Sequence, residues 1–237
     1  MRTITQEELN QILADHALWL DDDPAGVHAD LSRTNLIDVE LGDASLSYIN
    51  LTGVDLTGVD LTDADLSGAD LTGANLTDAD LSDADLFGAD LSDANLSGAD
   101  LSYASLRRVE LSGAKLTRAD LVDTNLRGAY LTGADCTDAN LRGAHLSVAD
   151  CTDANFRGAD CTDAGLTGVD FTDADLTDAT LSGADLRDAD LTGAKFGLNI
   201  IDAVSIDHAT FSQDAFEWLI LRDDWAKVKD TVTFVDN

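Results

Sequence analysis

Ala69-Asp70-Leu71-Thr72-Gly73 is followed without a break by Ala74-Asn75-Leu76-Thr77-Asp78 and Ala79-Asp80-Leu81-Ser82-Asp83. A large apolar residue thus returns every fifth position, with a small one two residues before it. Followed outward, the frame starts at Leu31 and runs to Phe196 with no insertion or deletion. Its 34 large positions hold 28 Leu, three Phe and three Cys, and 26 of the 34 small positions are Ala. The frame continues weakly through Ile201, Ile206 and Phe211. A period of five matches neither a helix nor a long straight strand. Within one unit, however, the small and the large residue share one face of a short extended segment, and the residue between them points outward. The last two residues, Ser or Thr and then Gly or Asp, suit a tight turn. Each unit is therefore one side and one corner of a coil.

The unit resembles the pentapeptide-repeat family, A(D/N)LXX. The resemblance implies an all-β solenoid, a right-handed quadrilateral parallel β-helix with four units, or 20 residues, per coil. It implies about nine coils, a rod roughly 43 Å long at about 4.8 Å between stacked strands. The segments on either side are expected to cover the ends of the stack. Residues 1–28 would form a capping helix and linker: Thr5-Gln6-Glu7-Glu8 reads as a capping box opening a helix to about Leu20. Leu9, Ile12, Leu13 and Trp19 would face the core, and the run from Asp21 to Gly26, with Pro24, would end the helix. The repeat would occupy 29–211. Residues 212–237 would form a helical cap opened by Ser212, or a dimerisation segment carrying Phe216, Trp218, Leu219 and Trp225, with a short strand near Thr231–Val235.

A coil of 20 residues sorts the surface into columns. Here each side is named by one of its inward leucines. Between residues 31 and 196 the Leu71 side carries nine acids and one base, and the opposite Leu61 side eleven acids and one base. The Leu76 side has seven acids and four bases; the Leu106 side has four of each. The acidity thus lies on two opposite sides. On the neutral Leu106 side Phe87, Arg107 and Arg127 should share one outward column with Arg108 beside them. That is the composition of a contact patch, and equally of a phenylalanine shielded by arginine on an ordinary surface.

The formal charge is −32, from 46 acidic and 14 basic residues, which disfavours nucleic acid or an anionic membrane as a direct ligand. No apolar run is long enough to span a bilayer, and the N-terminus lacks the apolar core of a signal peptide, so a cytoplasmic protein is expected. Cys136, Cys151 and Cys161 all fall on inward positions of different sides and read as buried free thiols. There is no phosphate loop, dinucleotide fingerprint or HExxH motif, and the four histidines are scattered. No catalytic residue, metal site or cofactor is expected. The reading is a non-enzymatic rigid scaffold or interaction module, monomeric or dimeric through its C-terminal segment. An alternative takes the Leu61-side aspartates Asp60, Asp63, Asp80, Asp83, Asp100 and Asp120 as part of a DNA-mimicking surface. Some members of the family resemble duplex DNA and occupy the DNA groove of type II topoisomerases such as gyrase. About 40 Å of B-DNA carries roughly 24 charges, close to the net −21 of residues 31–196. A third reading is a salt-adapted or cation-binding structural protein.

Overall fold

A computed structural model of the chain describes residues 1–196, 205–212, 229–230 and 232–235. Its backbone can be accounted for amide by amide. In the unit Ala69–Gly73 the Asp70 N–H reaches back to Ile49 O (3.0 Å), and Leu71 N–H reaches forward to Asp90 O (2.7 Å). Gly73 N–H donates to Ser92 O (2.9 Å), and the next Ala74 N–H closes the turn on Leu71 O (2.9 Å). The one remaining amide, Thr72 N–H, is taken by the Asp70 side chain at 3.0 Å. All five donors are satisfied, three of them between coils. This explains the unit: the outward Asp or Asn supplies the acceptor the backbone lacks, as an Asx-turn.

The corner has its own requirement. From Asp43 to Gly193 every last residue of a unit has a φ between 52° and 77°, the left-handed conformation that a β-turn of type II places at its third residue. Glycine adopts it without strain and aspartate more readily than most. At Gly183 the φ of 77° is the largest of the series, and glycine meets it at no steric cost.

The coils stack in strict register. On the Leu71 side Asp30, Asn50, Asp70, Asp90, Glu110, Tyr130, Asp150, Asp170 and Asp190 form an unbroken series of parallel bridges. It continues where β4 (Asp190–Leu191) pairs with β6 (Thr210–Ser212), Asp190 facing Thr210. Asp185 faces Ser205 on the Leu106 side, so the 20-residue frame holds through Ile206 and Phe211, both fully buried. The core is the expected one. Leu, Phe and Cys fill the large inward positions and Ala most of the small ones, nearly all below 3% exposed. Phe156 and Phe171 meet edge to face at 5.3 Å.

The first coil would expose a row of unpaired groups, and the N-terminal segment covers them by three devices. The strand β1 (Arg2–Thr3) pairs in parallel with β2 (Thr34–Asn35). The helix α1 (Gln6–Leu20) opens on the expected capping box, with Thr5 Oγ1 accepting from Glu8 N–H and Glu8 Oε2 from Thr5 N–H. It buries Leu9 completely and packs Ile12 and Leu13 against the core. Side chains then stand in for the missing coil. The Gln6 carboxamide mimics a peptide group, accepting from Glu40 N–H (2.8 Å) and donating to Glu40 O (3.3 Å). Higher up, the carbonyl of Ser67 accepts from Tyr48 N–H; the equivalent Ser47 O takes its bond from His16 Nε2 at 2.8 Å. Because His16 Nδ1 accepts from Ala29 N–H, Nε2 is the protonated nitrogen. His28 Nε2 serves Tyr48 O in the same way.

One expectation about the ends changes. Trp19 is 39% exposed and does not line the core; it stacks on His16 at 5.4 Å. Ser212 ends β6, where its hydroxyl accepts from Gly193 N–H at 2.6 Å; the helix it is expected to open lies outside the described residues. The strand expected near Thr231–Val235 appears as β7 (Thr233–Val235), which pairs with β6 and brings Phe234 to 6.4 Å from Phe211. Across the Leu76 side, β3 (Asp175–Leu176) pairs with β5 (Lys195–Phe196). The helix expected after Ser212, with Phe216, Trp218, Leu219 and Trp225, and the inward position at Ile201 lie outside the described residues.

Candidate interaction surfaces of the rod

The neutral side assembles as its columns require. Phe87 is 42% exposed, and the Arg107 guanidinium carbon lies 5.8 Å above its ring centroid, within cation–π range. Arg127 follows one coil on, exposed like Arg107 and Arg108. Arg108 occupies a left-handed corner (φ 57°) and its aliphatic stem lies across Gly128. Below them the exposed Tyr48 ring covers Gly68, where a Cβ would be 2.6 Å from the ring. Gly68 N–H in turn donates to Phe87 O. An aromatic and cationic strip thus runs up this side. Among the described residues Arg107, Arg108 and Arg127 form no ion pair, whereas Arg142, Arg157 and Arg187 each hold an aspartate.

On the Leu61 side Asp60, Asp80, Asp100 and Asp120 are bridged one above another. Each carboxylate also accepts from an amide two residues on: Asp60 from Thr62 (3.0 Å), Asp80 from Ser82 (3.0 Å), Asp100 from Ser102 (2.9 Å) and Asp120 from Val122 (3.1 Å). The Thr62 hydroxyl and amide hold the Asp60 carboxyl below the usual range. Asp63 and Asp83 are corner residues with φ of 57° and 60° and are exposed. The structure therefore brings the six aspartates onto one side, four as a fixed ladder and two at its edge.

The inward positions offer no reactive group. Cys136, Cys151 and Cys161 are free and fully buried. Burial pushes their thiols up, Cys161 to about 12, so no thiolate forms at ordinary pH. Among the described residues no three His, Cys, Asp or Glu side chains are grouped to hold a metal ion, and no helix is long and apolar enough to cross a membrane. The histidine pair was not visible in the sequence. His16 and His28, 12 positions apart in the chain, meet at 5.5 Å with Trp19, and both serve carbonyls of the first coil. A ring of helix α1 donating to a carbonyl of the first coil leaves no trace in local spacing.

Comparison with functionally characterised protein sequences gives no match. Among solved structures the chain is similar to HetL, a pentapeptide repeat protein involved in heterocyst differentiation regulation from the cyanobacterium Nostoc sp. strain PCC 7120. Identity is 37%, over 77% of this chain and 83% of HetL, with a TM-score of 0.74. QnrB1, a plasmid-mediated fluoroquinolone resistance protein, matches at 19% identity over 83% of this chain and 91% of its own, with a TM-score of 0.41. The family profile described as pentapeptide repeats matches in 8 copies, over residues 27–63, 55–93, 94–133, 110–147, 134–173 and 170–197. With its repeats matched from 27 to 197 and its coils stacked at 20-residue register, the chain belongs to the pentapeptide-repeat family, whose members form right-handed quadrilateral β-helices.

Proposed function

We propose that this protein is a non-enzymatic, rigid interaction module that meets a protein partner through its neutral side, at Phe87, Arg107, Arg108 and Arg127. The observation that carries the reading is the half-exposed Phe87 beneath Arg107, on a side with no net charge in a chain of −32. Aromatic residues and arginine are the types that dominate contact energetics. The stacked columns hold them without the entropy cost of ordering a loop. The likeness to HetL, itself involved in regulation, supports a role exerted by contact. In this reading the protein acts in the cytoplasm, alone or as a dimer joined through residues 212–237. In a pull-down from its own cells, Phe87→Ser with Arg107→Ala should keep the melting temperature and lose the partner. Equal recovery by both proteins overturns the reading.

A second reading is favoured by the Asp60, Asp80, Asp100 and Asp120 ladder. A column of like charges in fixed register suits a partner that grips a duplex, and gyrase is the type II topoisomerase to try. Purified protein should then inhibit gyrase supercoiling at micromolar concentration, and converting the four ladder aspartates to asparagine should abolish the inhibition. A parent protein without effect on gyrase excludes this reading.

A further inference from the structure

In a chain with 46 acids and 14 bases, Arg142, Arg157 and Arg187 each meet a carboxylate, and they show three places where one can sit. Arg33 and Arg118, like Arg107, Arg108 and Arg127, form no ion pair among the described residues. Arg187 takes the outward residue of its own unit, Asp185, with Nε–Oδ1 at 2.8 Å and Nη2–Oδ2 at 2.5 Å. Arg142 and Arg157 instead use the outward residue one coil up, Asp160 at 3.4 Å and Asp175 at 3.6 Å. Arg157 also reaches the corner residue beyond it, Asp178, at 3.9 Å. For Arg107 the same three places are Ser105, Asn125 and Gly128; for Arg127 they are Asn125, His145 and Val148. None is a carboxylate. The nearest acid below, Asp85, accepts from Phe87 N–H through Oδ1 (2.9 Å) and forms no ion pair among the described residues. Arg107 and Arg127 therefore stand on consecutive coils, with Arg108 beside them, in a window where none of these places holds a carboxylate and both flanking sides are acidic.

We propose that this window holds the carboxylates of an acidic, extended segment of a protein partner, laid on the neutral side with an apolar side chain against Phe87. The proposal rests on the reading of that side as the partner contact. Charge complementarity selects the anion, since guanidinium forks bind planar oxyanions in paired hydrogen bonds. The flanks select its width. The window lies between the Leu61 side, net −10, and the Leu71 side, net −8. A nucleic-acid duplex or a membrane plane is broad enough to press on both acidic ladders while reaching the arginines. A single extended chain fits between them. Phe87 and Tyr48, both exposed, continue the strip below the cations and favour a segment that mixes acidic and apolar residues.

The test selects a random displayed peptide library against the intact protein, then measures the selected peptides by fluorescence polarisation on three variants. Arg107→Glu with Arg127→Glu removes the cations. Ser105→Asp with Asn125→Asp leaves the arginines in place and supplies the internal partner that Asp185 gives Arg187. Phe87→Ser removes the apolar contact. Selected peptides should be rich in Asp and Glu with an apolar residue, and each variant should weaken them by at least about tenfold, with melting temperatures unchanged. Peptides that bind all three variants like the parent overturn this window as the contact, while the interaction-module reading stands. Selection of no peptide that depends on the arginines, or equally arginine-dependent binding of duplex DNA or phosphatidylserine vesicles, overturns the acidic segment as the occupant. Loss of the cellular partner on Phe87→Ser with Arg107→Ala, but not on Ser105→Asp with Asn125→Asp, would likewise separate the contact from its proposed chemistry.

Discussion

Asn75 and Asn95 on the Leu76 side and Asp60 to Asp120 on the Leu61 side share one backbone and differ in one atom type. Both sides place an outward residue in each unit, bridged to its equivalent 20 residues on. Both use its Oδ1 to accept the amide two residues ahead, Asn75 from Thr77 at 3.3 Å and Asp80 from Ser82 at 3.0 Å. On the Leu76 side the remaining Nδ2 group binds the coil below, Asn75 to Thr57 Oγ1 (2.7 Å), Asn95 to Thr77 Oγ1 (2.8 Å) and Asn155 to Thr137 Oγ1 (2.9 Å). From Asp60 to Asp120 on the Leu61 side that atom is a carboxylate oxygen, each carboxylate from Asp80 on stacked over another; at Asn140 an Nδ2 group returns and donates to Asp120 Oδ1 at 3.1 Å. Like charges about 5 Å apart repel by about 1 kcal/mol in water-like surroundings. The fold thus needs the acceptor and gains from the amide; the stacked charges repel one another, although hydrogen bonds favour the ionised form of a single carboxyl such as Asp60. The acidity of the Leu61 side is a surface property laid over a solenoid that asparagine would serve as well.

The sharpest way to break this comparison is to remove the acceptor. Asn75→Ala deprives Thr77 of its amide and hydroxyl partner and cuts the bonds to Thr57 and Asp55. It should cost about 2 kcal/mol and lower the melting temperature by about 5 °C, read by circular dichroism. Asn75→Asp keeps the acceptor, loses the amide and sets a carboxylate above Asp55. Its cost should be about half as large, and molar salt should recover part of it by screening. An alanine variant no worse than the aspartate variant would mean that charge, not the acceptor, governs the column.

The reverse change should stabilise. Asp80→Asn on the Leu61 side keeps the bond to Ser82 and places an Nδ2 group over Thr62, as Asn75 does over Thr57. A gain of about 0.5 kcal/mol is expected at low salt, shrinking as ionic strength rises. Were the whole ladder a salt adaptation, the parent's melting temperature would climb steeply with salt while the asparagine variants stayed flat. A parent with a flat response contradicts that origin for the charge.

Much of this was legible in the sequence for a physical reason: a five-residue frame without a slip makes position in the chain equivalent to position on the surface. Leu71 and Leu76 announced the sides, Gly73 and Asp78 the corners, Thr5 and Glu8 the helix start, and the acid count of each column the two charged sides. What escaped were bonds in which a side chain replaces backbone. Gln6 on Glu40, His16 on Ser47 and His28 on Tyr48 join the cap to the coil it covers, and no period relates their partners. The acceptor role of Asp70 was also missed, and with it the reason that Asp and Asn interchange in the unit. The window around Arg107 could have been found from column arithmetic alone. Ser105, Asn125 and His145 occupy positions that hold Asp in three of the six other coils, at Asp65, Asp85 and Asp185, but the signal is an absence of acid, and it has meaning only once Arg187 shows where a partner would sit.

The finest test of the comparison lies on the Leu71 side, where Glu110 sits between Asp90 and Tyr130 in the bridged column. Glutamate is one methylene longer than aspartate, and no bond links it to Ser112 among the described residues, so it carries charge without the acceptor duty. Burial, and then the Asp90 carboxylate, raise its pKa. An acid whose folded pKa lies above its unfolded value opposes folding while ionised, and that opposition fades as pH falls through the raised pKa. Asp160 and Asp175 have the opposite sign. Burial raises their pKa, but hydrogen bonds from Thr162 and Thr177 and nearby cations outweigh it and hold them low. Their contribution is complete above the unfolded carboxylate range and is lost as pH falls through the lowered values. Glu110→Gln should therefore raise the melting temperature at neutral pH by about one degree. The two proteins should converge as the pH drops through the raised glutamate pKa, before the aspartate turns begin to fail. A gain that persisted unchanged into that acid range would assign the effect to the amide of the new side chain and not to the charge removed.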